Sequence, residues 1–149
     1  MAKYVIAAVD EVKPGERLIT MVAGRSIGVF NVDGVFYAIR NRCPHQGAEL
    51  CLGRVVAPPA RSPLPGSFER EEGPPFLQCP WHGWEFDLST GRSWFDPARV
   101  RVRAYPVDVR AGLALKAELG SPARREGPVF AETYRVDVES DYIMVTIEP

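Results

Sequence analysis

Histidine and cysteine are scarce in this chain, with two of the first and three of the second among 149 residues. An odd number of cysteines without an export signal favours metal binding or thiols over a disulfide framework. Charge of one sign is lacking too. Eighteen Lys and Arg against 19 Asp and Glu leave a net charge of −1, which argues against nucleic acid or an anionic membrane as a partner recognised by bulk electrostatics. No apolar run approaches the ~20 residues that cross a bilayer, VIAAV being typical. The N-terminus lacks the charged, apolar and small-residue order of a signal peptide. The expectation is a cytoplasmic protein. A convincing helical period is absent as well, although GLALKAEL has room for a turn or two.

What is present reads as short strands separated by turn residues, in a chain long enough for one domain, 1–149, that buries about two-thirds of its unfolded surface. KYVIAAVD and RLITMVAG open with strand-like residues. SIGVFNVDGVFYAIRN sets Asp33-Gly34 between two apolar runs, a strong hairpin signal. WEFDLSTGRSWF suggests a second hairpin turning around Ser89 to Gly91. From Arg99 to Arg103 arginine and valine alternate, which on a strand places the arginines on one face, either solvated or docking an acidic partner. Residues 53–75 hold six of the 14 prolines and a charged knot at Glu69 to Glu72, so they read as a long surface loop. A second irregular stretch, GSPARREGP, follows Leu119. YPVDVRAGLALKAEL and YRVDVESDYIMVTIE both read as strand, turn, strand. The predicted fold class is all-β.

Every histidine lies beside a cysteine. NRCPHQGAEL carries Cys43 and His45, and CPWHGWEFD carries Cys79 and His82. Two thiolates and two imidazoles suit a structural zinc, a mononuclear iron, or a [2Fe–2S] cluster in which two histidines replace two cysteines on one iron. A structural zinc of this ligand set usually takes a cysteine pair followed by a histidine pair, whereas here each loop offers one of each. That mixed order suits a binuclear site. Gly47 and Gly83 allow backbone N–H groups to approach bridging sulfides without a Cβ in the way, and Pro44 and Pro80 stiffen each loop directly after its cysteine.

CPHQGAELCLG and CPWHGWEFD resemble the two cluster-binding loops of Rieske-type iron–sulfur proteins, most closely those of bacterial oxygenase systems. The resemblance is firm from about Asn41 to Gly91 and continues as a strand pattern from Lys3 to Val109. It implies a stacked antiparallel β-sandwich bearing a small cluster-binding subdomain, about 41–91, interrupted by the proline-rich insertion at 53–75. It further implies a [2Fe–2S] cluster with Cys43 and Cys79 on the buried iron and His45 and His82 on the outer one.

Departures from the family's subtypes carry information. Quinol-oxidising members have an extra cysteine in each loop, joined as a disulfide, and a serine and tyrosine after the second histidine. Here Ala48 and Trp81 occupy the cysteine positions, and Trp84 and Phe86 those of the hydroxyl donors. Without those two hydroxyl donors to sulfur the potential is expected in the lower part of the roughly −150 to +300 mV range of such centres. Cys51 is expected to be a buried thiol outside the ligand set. The 33 residues between His45 and Cys79 are about twice the family's usual spacing.

Both histidines are taken by this assignment and about 60 residues follow the second motif, which leaves no room for a further mononuclear iron site. The resemblance therefore implies a non-catalytic electron carrier, a ferredoxin loaded by a flavin-dependent reductase and unloaded by a separate terminal oxygenase. Docking is expected at His45, His82, Gln46 and Trp81. The alternatives are a Rieske-like small subunit of a larger reductase, such as assimilatory nitrite reductase, and a Cys₂His₂ zinc-binding module.

Overall fold

The computed structural model describes residues 2–58, 73–94, 96–119, 129–130 and 136–148. It is mostly β, with eleven strands in three sheets and one short helix among the described residues. Strands β1 (Ala2–Ala8), β9 (Val107–Ala111), β10 (Val129–Phe130) and β11 (Asp141–Ile147) form one sheet in the order β10-β1-β11-β9. Its pairs are antiparallel except β1 with β10. The central strands β1 and β11 are buried in continuous runs, Val5 to Ala8 and Tyr142 to Ile147. Coverage of both faces explains why VIAAV and YIMVTI do not alternate with polar residues.

A second sheet has the order β2-β3-β4-β8, from Arg17–Val22, Arg25–Val32, Val35–Arg40 and Ala104–Tyr105. The hairpin expected at Asp33-Gly34 joins β3 to β4. Both turn residues have positive φ, 51° and 89°, as a type I′ turn requires. The third sheet, β5-β6-β7, is built from Arg54–Val56, Phe76–Gln78 and Glu85–Asp87.

The chain divides into two compact units, one of Met1–Leu18, Val29–Ala38 and Tyr105–Pro149, the other of Ile19–Gly28 and Ile39–Ala104. In the first unit Leu115 is buried in a cluster with Val5, Ala8, Tyr142 and Met144. The second unit holds β5, β6, β7 and both cysteine–histidine segments.

Several expectations change. GLALKAEL is a helix, α1 (Gly112–Leu119), the turn or two for which the segment has room, and this replaces the strand–turn–strand reading. Its alanines, leucines, lysine and glutamate are good helix formers, burial of Leu115 supplies the packing, and Glu118 forms an ion pair with Arg110. The two similar C-terminal segments thus fold differently, one as strand then helix, the other as a turn leading into β11. Residues 54–56 of the expected loop 53–75 form β5, because Val55 and Val56 pair with Leu77 and Phe76 of β6. The remainder of that loop from 59 to 72, with the charged knot, lies outside the described residues, as does GSPARREGP. Arg99 to Arg103 form no strand. Arg101 makes a single bridge to Arg92, yet the burial alternates as expected, with exposed arginines around Val102.

Candidate metal centre

Both cysteine–histidine segments close into the same backbone figure. In the first, the Cys43 N–H donates to Ala48 O at 2.8 Å and the Gly47 N–H to Cys43 O at 2.7 Å. In the second, the Cys79 N–H donates to Trp84 O at 2.7 Å and the Gly83 N–H to Cys79 O at 3.0 Å. The reversal needs a left-handed residue at the fifth position, and Gly47 and Gly83 supply it with φ of 76° and 71°. Superposed by this figure, the loops align Cys43 with Cys79, Pro44 with Pro80 and Ala48 with Trp84. The histidines fall one position apart.

β6 and β7 hold the second loop between them, paired from Phe76↔Asp87 to Gln78↔Glu85. The first loop follows β4 and leads through a 3-10 turn, Leu50–Leu52, into β5. Its base is anchored by buried Asn41, whose Oδ1 accepts the Cys51 N–H at 2.8 Å and whose Nδ2 donates to Ser26 Oγ at 3.2 Å.

The four donors sort by depth. Cys43 and Cys79 are buried, His45 and His82 exposed. The imidazoles meet edge to face at 5.1 Å between centroids. Burial pushes the Cys43 thiol above the ordinary thiol value; the Cys79 thiol, within hydrogen-bond reach, pushes the same way, while the N–H groups of His45 and Gln46 pull it down. A thiolate is therefore disfavoured here unless a cation joins it, and N–H groups already stand where a ligated sulfur would accept them. Among the described residues no group of three or more His, Cys, Asp or Glu is arranged for a single ion. Two buried thiols and two exposed imidazoles, one of each from either loop, instead fit a binuclear group with chemically different ends.

Trp84 was legible only as the residue at a hydroxyl-donor position, and its contact with the other loop was not. Its ring stacks on His45 of the other loop at 4.7 Å and 21°, while its carbonyl binds Cys79 of its own. The mark in the sequence is the unlike pair at equivalent positions, Ala48 in one loop and Trp84 in the other. Of the residues expected in the missing-cysteine positions, Ala48 is buried and Trp81 is 61% exposed. Phe86 is fully buried. Cys51 is buried as expected, its S–H directed to Ile39 O at 3.7 Å.

The family model of the Rieske [2Fe-2S] domain matches residues 2–106. The chain belongs to the Rieske family. Its cofactor is accordingly a Rieske [2Fe–2S] cluster, and the donor set just described fits that group. Among relatives of this Rieske chain, the 3-phenylpropionate/cinnamic acid dioxygenase ferredoxin subunit of Escherichia coli K12 is 31% identical over 112 residues, 75% of this chain and 90% of that one. The solved ferredoxin of carbazole 1,9a-dioxygenase from Nocardioides aromaticivorans IC177 is 30% identical, with a TM-score of 0.54 over 74% of this chain and 91% of its own. A structure assigned as an NADH-dependent nitrite reductase small subunit from Mycobacterium tuberculosis shares the fold at 23% identity, with a TM-score of 0.58 over 96% of this chain and 92% of that one. No helix among the described residues is long and apolar enough to cross a membrane.

Proposed function

We propose that this Rieske chain is the ferredoxin of a multicomponent oxygenase, working in the cytoplasm between a flavin-dependent reductase and a separate terminal oxygenase. The observation that carries the reading is the contact between the two exposed imidazoles, one from each loop, while the thiol of each loop is buried. When bound, the cluster supplies a one-electron couple. Buried Cys43 and Cys79 would hold it on the side away from water, and exposed His45 and His82 on the side that a partner can approach. The N–H groups of His45 and Gln46 stabilise negative charge on the Cys43 sulfur. Trp84 braces His45 against sideways motion, and exposed Trp81 and Gln46 border the tip as contacts for a transient partner.

The missing hydroxyl donors at Trp84 and Phe86 support a low-potential carrier, as does similarity to dioxygenase ferredoxins over nine-tenths of a relative's length. The ligand assignment is tested by replacement: His82→Ala and Cys79→Ser should each lose the visible absorption of the oxidised cluster. A His82→Ala protein that kept its full spectrum would remove that residue from the ligand set.

A second reading is a permanent small subunit of a nitrite reductase, favoured by the fold match to such a subunit over nearly the whole chain. Co-purification from the native cell separates the two. A large reductase subunit that stays bound through gel filtration would replace the ferredoxin reading.

A further inference from the structure

Residues 91–93 run antiparallel beside residues 100–102. The Ser93 N–H donates to Val100 O at 3.1 Å and the Val102 N–H to Gly91 O at 2.8 Å, which leaves Arg92 and Arg101 directly opposed between the two bonds. Such a non-hydrogen-bonded pair brings Cα atoms to about 4.5 Å and side chains to their closest approach. Like charges placed there repel. Gly91 permits the approach, because a Cβ at that position would stand 1.9 Å from Val102 O. Among the described residues, the carboxylates of Asp87 and Asp96 accept hydrogen bonds from other groups. Asp87 Oδ1 accepts the Ser89 N–H at 2.7 Å and its hydroxyl at 2.5 Å, and Asp96 Oδ1 accepts the Arg99 N–H at 3.3 Å. Arg99 and Arg103, both exposed, extend the row, and Arg103 O accepts the N–H of exposed Arg40 at 2.9 Å.

We infer that Arg92, Arg99 and Arg101 form a docking surface for an acidic protein, the face that a redox partner presents when it approaches the histidine tip. The inference rests on the electron-carrier reading and adds to it the partner's charge and a second contact region. Position supports it. The Asp87 N–H donates to Arg92 O at 2.9 Å, so the arginine pair lies three residues of β7 beyond Trp84, about 10 Å. A transient interface of roughly 1,200 Å² buries about 600 Å² on each partner, a disc of about 14 Å radius. A footprint of that radius is wider than the roughly 10 Å of strand between Trp84 and the pair. An opposing acidic surface would offset the repulsion built into the pair and steer the encounter.

The test compares the holoprotein with its Arg92→Gln/Arg101→Gln variant, using poly-L-glutamate and poly-L-lysine as polypeptide probes and ferricyanide as a small anionic oxidant. The wild type should bind poly-L-glutamate but not poly-L-lysine at low salt, and ferricyanide should oxidise its reduced form several-fold faster at low than at high ionic strength. The variant should bind poly-L-glutamate several-fold more weakly, lose most of the salt dependence, and melt no lower than the wild type because repulsion has been removed. Unchanged poly-L-glutamate binding would overturn the inference. So would a lowered melting temperature, since the guanidinium groups would then serve an internal partner. A wild type with no dithionite-bleachable visible spectrum would end the electron-carrier reading separately, while the poly-L-glutamate comparison still decides the surface.

Discussion

Replacing Trp84 by leucine removes the ring that lies flat against His45 while keeping an apolar side chain at the half-buried position. An aromatic contact of this kind is worth about 0.5–1.5 kcal/mol, so the Trp84→Leu protein should lose its visible absorption to a chelator about 2- to 10-fold faster than the wild type. Trp84→Phe should restore most of the difference; equal rates in all three would deny the bracing role. Phe86 offers a test of the missing hydroxyl. It is fully buried, so a tyrosine hydroxyl there must find an acceptor or cost about 1–3 kcal/mol. If Cys79 sulfur is that acceptor, the Phe86→Tyr potential rises, as voltammetry would read; a destabilised protein of unchanged potential would place the hydroxyl elsewhere. At this scale the cysteines and histidines were legible because few residue types ligate metals and their spacing is local. The stack of Trp84 on His45 was not, because it joins residues 39 positions apart through a geometry no local pattern encodes.

Among the elements, the turn between β2 and β3 is the place where local preference and the fold conflict. Ala23 and Gly24 both have positive φ, 50° and 76°, and alanine is poorly suited to that region. Ala23→Asn keeps a side chain that tolerates it and should stabilise the protein by about 0.5–1 kcal/mol, measurable as a higher urea midpoint; a lower midpoint would show that the methyl group is needed at that turn. The Asp33-Gly34 hairpin was readable from its dipeptide, whereas Ala-Gly gave no such signal. β5 and α1 were obscured for different reasons. Val55 and Val56 sit in a proline-rich neighbourhood and become a strand only by pairing with β6, and GLALKAEL is too short to declare a helix without the buried seat that Leu115 takes. The alternation from Arg99 to Arg103, read on a strand, predicted which side chains face water, but only a single bridge forms there.

For the molecule as a whole, ligation by Cys43, His45, Cys79 and His82 would tie together two loops that lie in one of the two compact units, so metal removal should act locally. Hydrogen exchange in the chelated protein should rise over residues 43–48 and 79–84, while β1 and β11, with their buried runs, stay protected. Equal loosening everywhere would make the cluster a global staple instead. The holoprotein should give a single one-electron voltammetric wave in the lower part of the roughly −150 to +300 mV range. A wave near its top would contradict the low-potential carrier and the explanation from absent hydroxyl donors.

The amino-acid sequence by itself determined the two cysteine–histidine segments, the prolines Pro44 and Pro80 that fix φ after each cysteine, the glycines Gly47 and Gly83 that follow the histidines, and the predominance of strands, because each depends on residues close together in the chain. Only the tertiary structure decided that the thiols are buried while the imidazoles are exposed and meet each other, that Trp84 stacks on His45, that Asn41 anchors the first loop, and that Arg92 is held opposite Arg101. Those are contacts across loops and strands, set by which backbone groups find partners when the sheets assemble, and no spacing within one segment carries them.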